Sequence, residues 1–147
     1  MRRIGLAALV VALGAQVAAA ETCKEMVPDL EQFRHTMEVN RLSESVYRQK
    51  LQRPKRVDYA IGVLVDYEAL TNRSLTIVDD VESRANKAQE SKCPGWEQSR
   101  TMDQTSLVIK NLKARLKGTR EEINANLTRL RKMVADGKSG MVTVAFR

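Results

Sequence analysis

The sequence predicts an all-α fold, a bundle of three long, antiparallel, amphipathic helices with coiled-coil-like packing and one disulfide. Three observations carry this. Apolar residues recur at seven-residue spacing over two long stretches. Aromatics make up 4% of the chain, and 7 glycines and 3 prolines in 147 residues are too few turn-formers for a sandwich or barrel of short strands. Pro54 and Cys93-Pro94-Gly95 supply the two breaks that divide the chain into three helical runs.

The amino terminus reads as a cleavable leader over residues 1–20. Arg2-Arg3 is followed by an apolar run from Ile4 to Val17 and by Ala18-Ala19-Ala20, the order of a secretory signal peptide. The run is shorter than the roughly 20 residues a membrane span needs, and no second run approaches that length, so no transmembrane segment is expected in the mature chain. Cys23 follows Glu-Thr and is not the first mature residue, which argues against a lipid anchor, and the surroundings of Arg2-Arg3 do not fit a twin-arginine signal. Cleavage leaves residues 21–147 as a single helical domain and lowers the net charge from +7 to +5 as Arg2 and Arg3 depart. The expected location is periplasmic or secreted, in soluble form.

A first helix is expected over about 28–53, opened by Pro28 and closed before Pro54. Leu30, Phe33, Met37, Tyr47 and Leu51 form one stripe, interrupted by Asn40 and Glu44, while His35, Val39, Leu42 and Val46 form a second stripe on the opposite side. Two apolar faces suit a helix packed between two neighbours; the alternative is that the second stripe binds a partner.

A second helix is expected over 56–91, where Val57, Ala60, Leu64, Tyr67, Thr71, Ser74, Val78, Val81, Ala85 and Ala88 keep the heptad pattern. Ala60 to Val65 is continuously apolar apart from Gly62, so a short buried strand over residues 57–65 is the alternative to the helix there. The third helix, over 99–136, has the clearest period: Met102, Ile109, Leu116, Ile123 and Leu130, flanked by Leu112, Leu127, Met133 and Val134 and stopped at Gly137. Thr105, Thr119 and Asn126 on the seam and Gly118 at mid-helix weaken it. The tail, 138–147, alternates from Met141 to Phe146 and reads either as an added strand or as a disordered end.

The two cysteines, Cys23 and Cys93, are expected to form a disulfide in an oxidising compartment. If the first two helices fold back at Pro54, residue 28 lies opposite about residue 80, with Cys93 roughly 20 Å further along. Five extended residues cover about 16 Å and the bond itself ~5.5 Å, so the link is reachable.

The chemical inventory is sparse. His35 is the only histidine, which excludes a two-histidine metal site, and neither Cys-x-x-Cys nor Cys-x-x-Cys-His occurs. No glycine-rich phosphate loop or nucleophile elbow is present, and the carboxylates at Asp66, Glu68, Asp79, Asp80, Glu82, Glu121 and Glu122 show no spacing for paired acid–base work. No cofactor, metal or catalytic residue is expected. The acid-free run Arg48, Lys50, Arg53, Lys55 and Arg56 reads first as a solvated turn and, as the alternative, is the candidate anion contact, toward an anionic envelope surface or an acidic protein. Basic residues of the third helix scatter over several faces without interleaved aromatics, so nucleic acid is not an expected partner.

Together these readings predict a non-enzymatic exported protein that acts by protein–protein contact, as scaffold, adaptor or chaperone-like binder. The candidate partner surface is His35, Val39, Leu42 and Val46, with Trp96, the sole tryptophan, read first as a cap on one end of the bundle and alternatively as an anchor on this surface; the partner is another envelope protein or a second copy. An inhibitor or immunity-type protein is the alternative; a small-ligand carrier or an enzyme ranks below both.

Overall fold

The computed structural model describes residues 22–96 and 100–146, with side chains from residue 103 onward in the second stretch. The expected leader and the side chain of Met102 in the third-helix heptad lie outside that description. The described chain is mostly helical, with a helical turn over residues 22–26, three long helices, α1 (Leu30–Leu51), α2 (Val57–Glu90) and α3 (Arg100–Ala135), and two short strands, β1 (Lys55–Arg56) and β2 (Met141–Val142).

Local chemistry sets the helix ends. Asp29 caps α1, its Oδ1 accepting from the Gln32 amide at 2.9 Å, so the helix begins at Leu30 and not at Pro28. It stops at Leu51, short of the expected 53, because the residue before Pro54 is steered away from helical geometry. Both α2 and α3 end in a paired turn. At α2 the Cys93 amide donates to Ala88 O and the Lys92 amide to Gln89 O; at α3 Lys138 donates to Met133 O and Gly137 to Val134 O. The turn needs a left-handed residue, which is Gly137 (φ 74°) at α3 but Lys92 (φ 50°) at α2.

α2 and α3 pack along each other in opposite directions, and α1 lies antiparallel to α2. Every heptad position expected in α2, from Val57 to Ala88, is buried. Over Ala60 to Val65, Ala60, Val63 and Leu64 point inward while Gly62 and Val65 face solvent, a three-four spacing that belongs to a helix, so the helical reading of 57–65 holds and the strand alternative falls.

The core divides into clusters along the long axis. At the end near the α1–α2 turn, Leu51, Val57, Leu64, Tyr67, Ile123, Leu127 and Leu130 pack with Val142 and Val144 of the tail. Further along, Phe33 joins Leu75, Val78, Val81, Ile109 and Leu116. Between them runs a polar layer containing Asn40 and Glu44 of α1, Thr71 and Ser74 of α2, and Arg115 and Thr119 of α3. At the far end Cys93, Trp96, Ala85 and Ala88 close over Cys23, Met26, Val27 and Leu30. The Cys23–Cys93 disulfide sits there, with the two Cα atoms 5.5 Å apart, and straps the amino-terminal segment to the end of α2.

The tail is ordered by contacts, not left as a free end. Met141–Val142 pairs antiparallel with Lys55–Arg56, Val142 opposite Lys55. Beyond the strand, Asn126 Nδ2 donates to Ala145 O (3.0 Å) and Arg129 Nη2 to Thr143 O (2.8 Å). These two bonds supply partners for carbonyls that no neighbouring strand reaches.

Candidate functional site

The feature that the chain's own packing leaves unexplained is the outer face of α1. At 100° per residue, Phe33, Met37, Glu44 and Leu51 share the inner face, and His35, Val39, Leu42 and Val46 lie about 180° around the helix. Val39 is 46% exposed, Leu42 56% and Val46 47%, and His35 is exposed as well. The expectation that α1 sits between two neighbours is thus corrected. Both α2 and α3 approach the same side of α1, so its second stripe meets nothing within the described chain.

The inner side of α1 is held by polar contacts as well as apolar ones. Asn40 Nδ2 donates to Ser74 Oγ at 3.0 Å, and Arg115 Nη1 donates to Glu44 Oε2 at 2.8 Å while the Glu44 side chain is 5% exposed. Arg48 Nε donates to the Tyr67 hydroxyl at 3.0 Å. Asn40 and Glu44, the two residues that interrupt the inner stripe in the sequence, are therefore the ones that bond across it. Such pairs fix rotation and register, because a slipped helix would leave a buried polar group without a partner. The outer stripe is consequently held in one orientation on a fixed support.

Charge around this support is largely compensated. An open groove of about 490 Å³ between α1 and α3 carries Arg41, Arg48 and Arg115, but Arg41 pairs with Glu38 (3.2 Å) and Arg115 with Glu44. Lys113 of α3 bridges Asp79 (2.6 Å) and Glu82 (2.5 Å) of α2, and those hydrogen bonds, Asp79 first, raise its pKa above the ordinary lysine value. Burial pushes the Tyr67 phenol up, against the opposing bond from Arg48. The Tyr59 amide, with Arg56 in support, lowers the Asp58 carboxyl, as suits an acid in the first turn of α2.

Of the residues singled out by sequence, the structure brings His35, Val39, Leu42 and Val46 together and separates Trp96 from them. Trp96 is buried at the strapped end, its Nε1 donating to Ala85 O at 3.0 Å, which makes it core and takes it off the candidate surface. The basic run also divides. Arg48 turns inward, its guanidinium 4.7 Å from the centre of the Phe146 ring and 3.9 Å from Glu122, whereas Lys50 lies over Tyr47, Lys55 over Tyr59, and Arg56 pairs with Asp58 at 3.2 Å. Arg53 is exposed at the turn. Among the described residues no group of three or more His, Cys, Asp or Glu side chains is placed to hold a metal ion, and no helix is long and apolar enough to cross a membrane.

Leu107 and Val108, near the start of α3, are exposed as well. No family model, no curated protein and no solved structure matches this chain.

Proposed function

We propose that this is a non-enzymatic exported protein that works by protein–protein contact, with the outer face of α1 as its docking surface and a scaffold, adaptor or chaperone-like role in the cell envelope. The observation that carries the reading is the contrast between the two sides of α1. Its inner side is bonded through Asn40, Glu44 and Arg48, while Val39, Leu42 and Val46 stand about half exposed in a continuous row. Helix-in-groove and helix–helix recognition use anchors at this three-four spacing, and a row held rigidly loses little entropy on binding. Scattered apolar residues on a surface call for no such account; a row along one face does. Export is supported by the leader-like residues 1–20 and by the Cys23–Cys93 bond, which persists in an oxidising compartment.

The test is to compare wild type with Leu42→Asp, expressed from the full gene, by sizing native complexes from the envelope fraction. A complex formed by wild type and lost in the variant, with the variant's thermal unfolding unchanged, supports the reading. Complexes of equal size and amount in both would overturn it.

A further inference from the structure

We propose that the outer face of α1 is covered by a second copy of this chain, with the two α1 helices antiparallel about a two-fold axis. The inference rests on the reading of that face as a docking surface and names its occupant.

The spacing of the row is the first argument. His35, Val39, Leu42 and Val46 are separated by four, three and four residues, a pattern that reads the same in either direction. Reversing one helix against another sets His35 opposite Val46 and Val39 opposite Leu42, and repeats both pairs across the axis. A two-fold interface requires such self-complementarity, each position meeting its counterpart reciprocally. An antiparallel seam of a and d positions supplies it.

Charge is the second argument and decides the direction. Asp29 and Glu31 mark the amino-terminal end of α1, with Lys24 and Glu25 offsetting each other just before it; Lys50 and Arg53 mark the other end, with Lys55 following in the turn and Arg56 paired to Asp58. The register that pairs His35 with Val46 places residue 31 level with residue 50, and residue 28 level with residue 53. The acidic end of each copy then lies over the basic turn of the other, and the helix dipoles oppose. A parallel pair would stack one basic turn on the other. Arg34 does not upset the pattern, being offset about 100° from His35 toward the flank that carries Arg41.

The third argument is that the ends of the described chain are committed elsewhere. The segment from Cys23 is tied to Cys93 at the far end of α2, and the tail is docked by Asn126 and Arg129 with Phe146 against Tyr67. Neither lies over the row. A single pair of 22-residue helices is about 33 Å long and falls at the small end of stable interfaces, so the association is expected to be reversible and dependent on concentration.

The test uses the disulfide-bonded mature chain, residues 21–147. Sedimentation velocity across a concentration series is expected to show a monomer–dimer equilibrium, weakened at least tenfold by Leu42→Asp. With a photoreactive residue at position 46, the crosslinked peptide is expected to contain His35 of the second copy. Crosslinks from 46 to 46 would mean a parallel pair and overturn the proposal, as would a dimer indifferent to Leu42→Asp. A monomer at every concentration also overturns it. If envelope complexes sensitive to Leu42→Asp persist in that case, the docking surface stands with a different protein as its partner; if they too are absent, both readings fall.

Discussion

Glu44 of α1 and Arg115 of α3 form an ion pair with the carboxylate oxygen 2.8 Å from Nη1, the Glu44 side chain 5% exposed and that of Arg115 44% exposed. The pair lies in the polar layer between two apolar clusters and joins helices that are not neighbours in sequence. Removing only the arginine strands a buried carboxylate. Arg115→Ala is therefore expected to cost about 2 kcal/mol, below the range for fully buried pairs because water reaches the guanidinium. Replacing both residues with methionine should recover most of that loss. Urea unfolding of the two variants checks it, and equal destabilisation by single and double replacement would show that the pair does not act as a unit.

The left-handed turn after α2 gives a second prediction. Lys92 stands at φ 50° where the matching turn after α3 has Gly137 at φ 74°. Lys92→Gly is expected to stabilise by about 0.5–1 kcal/mol and Gly137→Ala to destabilise by about 1 kcal/mol. Thermal unfolding of the two variants should shift in opposite directions. A loss of stability in Lys92→Gly would mean that the lysine side chain contributes more than its backbone strain costs.

The strap can be tested by replacing Cys23 and Cys93 together with alanine. The bond closes a separation of 70 residues, for which loop-closure entropy gives on the order of 4 kcal/mol before denatured-state structure erodes it. The expected loss is about 2–4 kcal/mol. An unchanged unfolding midpoint would show that the far end, with Trp96 packed on Ala85 and Ala88, holds without it.

Stability should fall on the alkaline side. The pKa values of Tyr67 and Lys113 are both raised in the folded chain above ordinary values of 10.0 and 10.5, Tyr67 by burial and Lys113 by Asp79 and Glu82. Each group holds its proton more tightly when folded. Its contribution is therefore fully present below the unfolded value and is lost as pH rises through the folded one. Unfolding free energy measured from about pH 9 to pH 11 should decline, and ultraviolet titration should show a tyrosine ionising above the ordinary value of 10.0. A flat profile over that range would contradict the assignment.

Much of the architecture is legible in the sequence because burial follows period. Ile109, Leu116, Ile123 and Leu130 recur every seven residues and all four are buried, as are the heptad positions of α2. The disulfide follows from compartment and count. What the sequence leaves open depends on what stands across from a residue. Glu44 looks like a gap in a stripe until Arg115 is opposite it, and Arg48 looks like one of a basic run until Tyr67 and Phe146 draw it inward. The row on α1 is visible as a second stripe, but whether it faces a neighbour depends on the sides from which α2 and α3 approach. That relationship is tertiary and has no local signal.

The most direct measurement of the central claim is site-resolved photo-crosslinking in the native envelope, with the reactive residue placed in turn at Val39, Leu42 and Val46 on α1 and at Thr76, exposed on α2, as the control. Strong protein adducts from all three α1 positions, absent at Thr76 and removed by Leu42→Asp when the probe is at Val39 or Val46, are the expected result. Adducts no stronger on α1 than at Thr76 would contradict the assignment of the outer face of α1 as the docking surface.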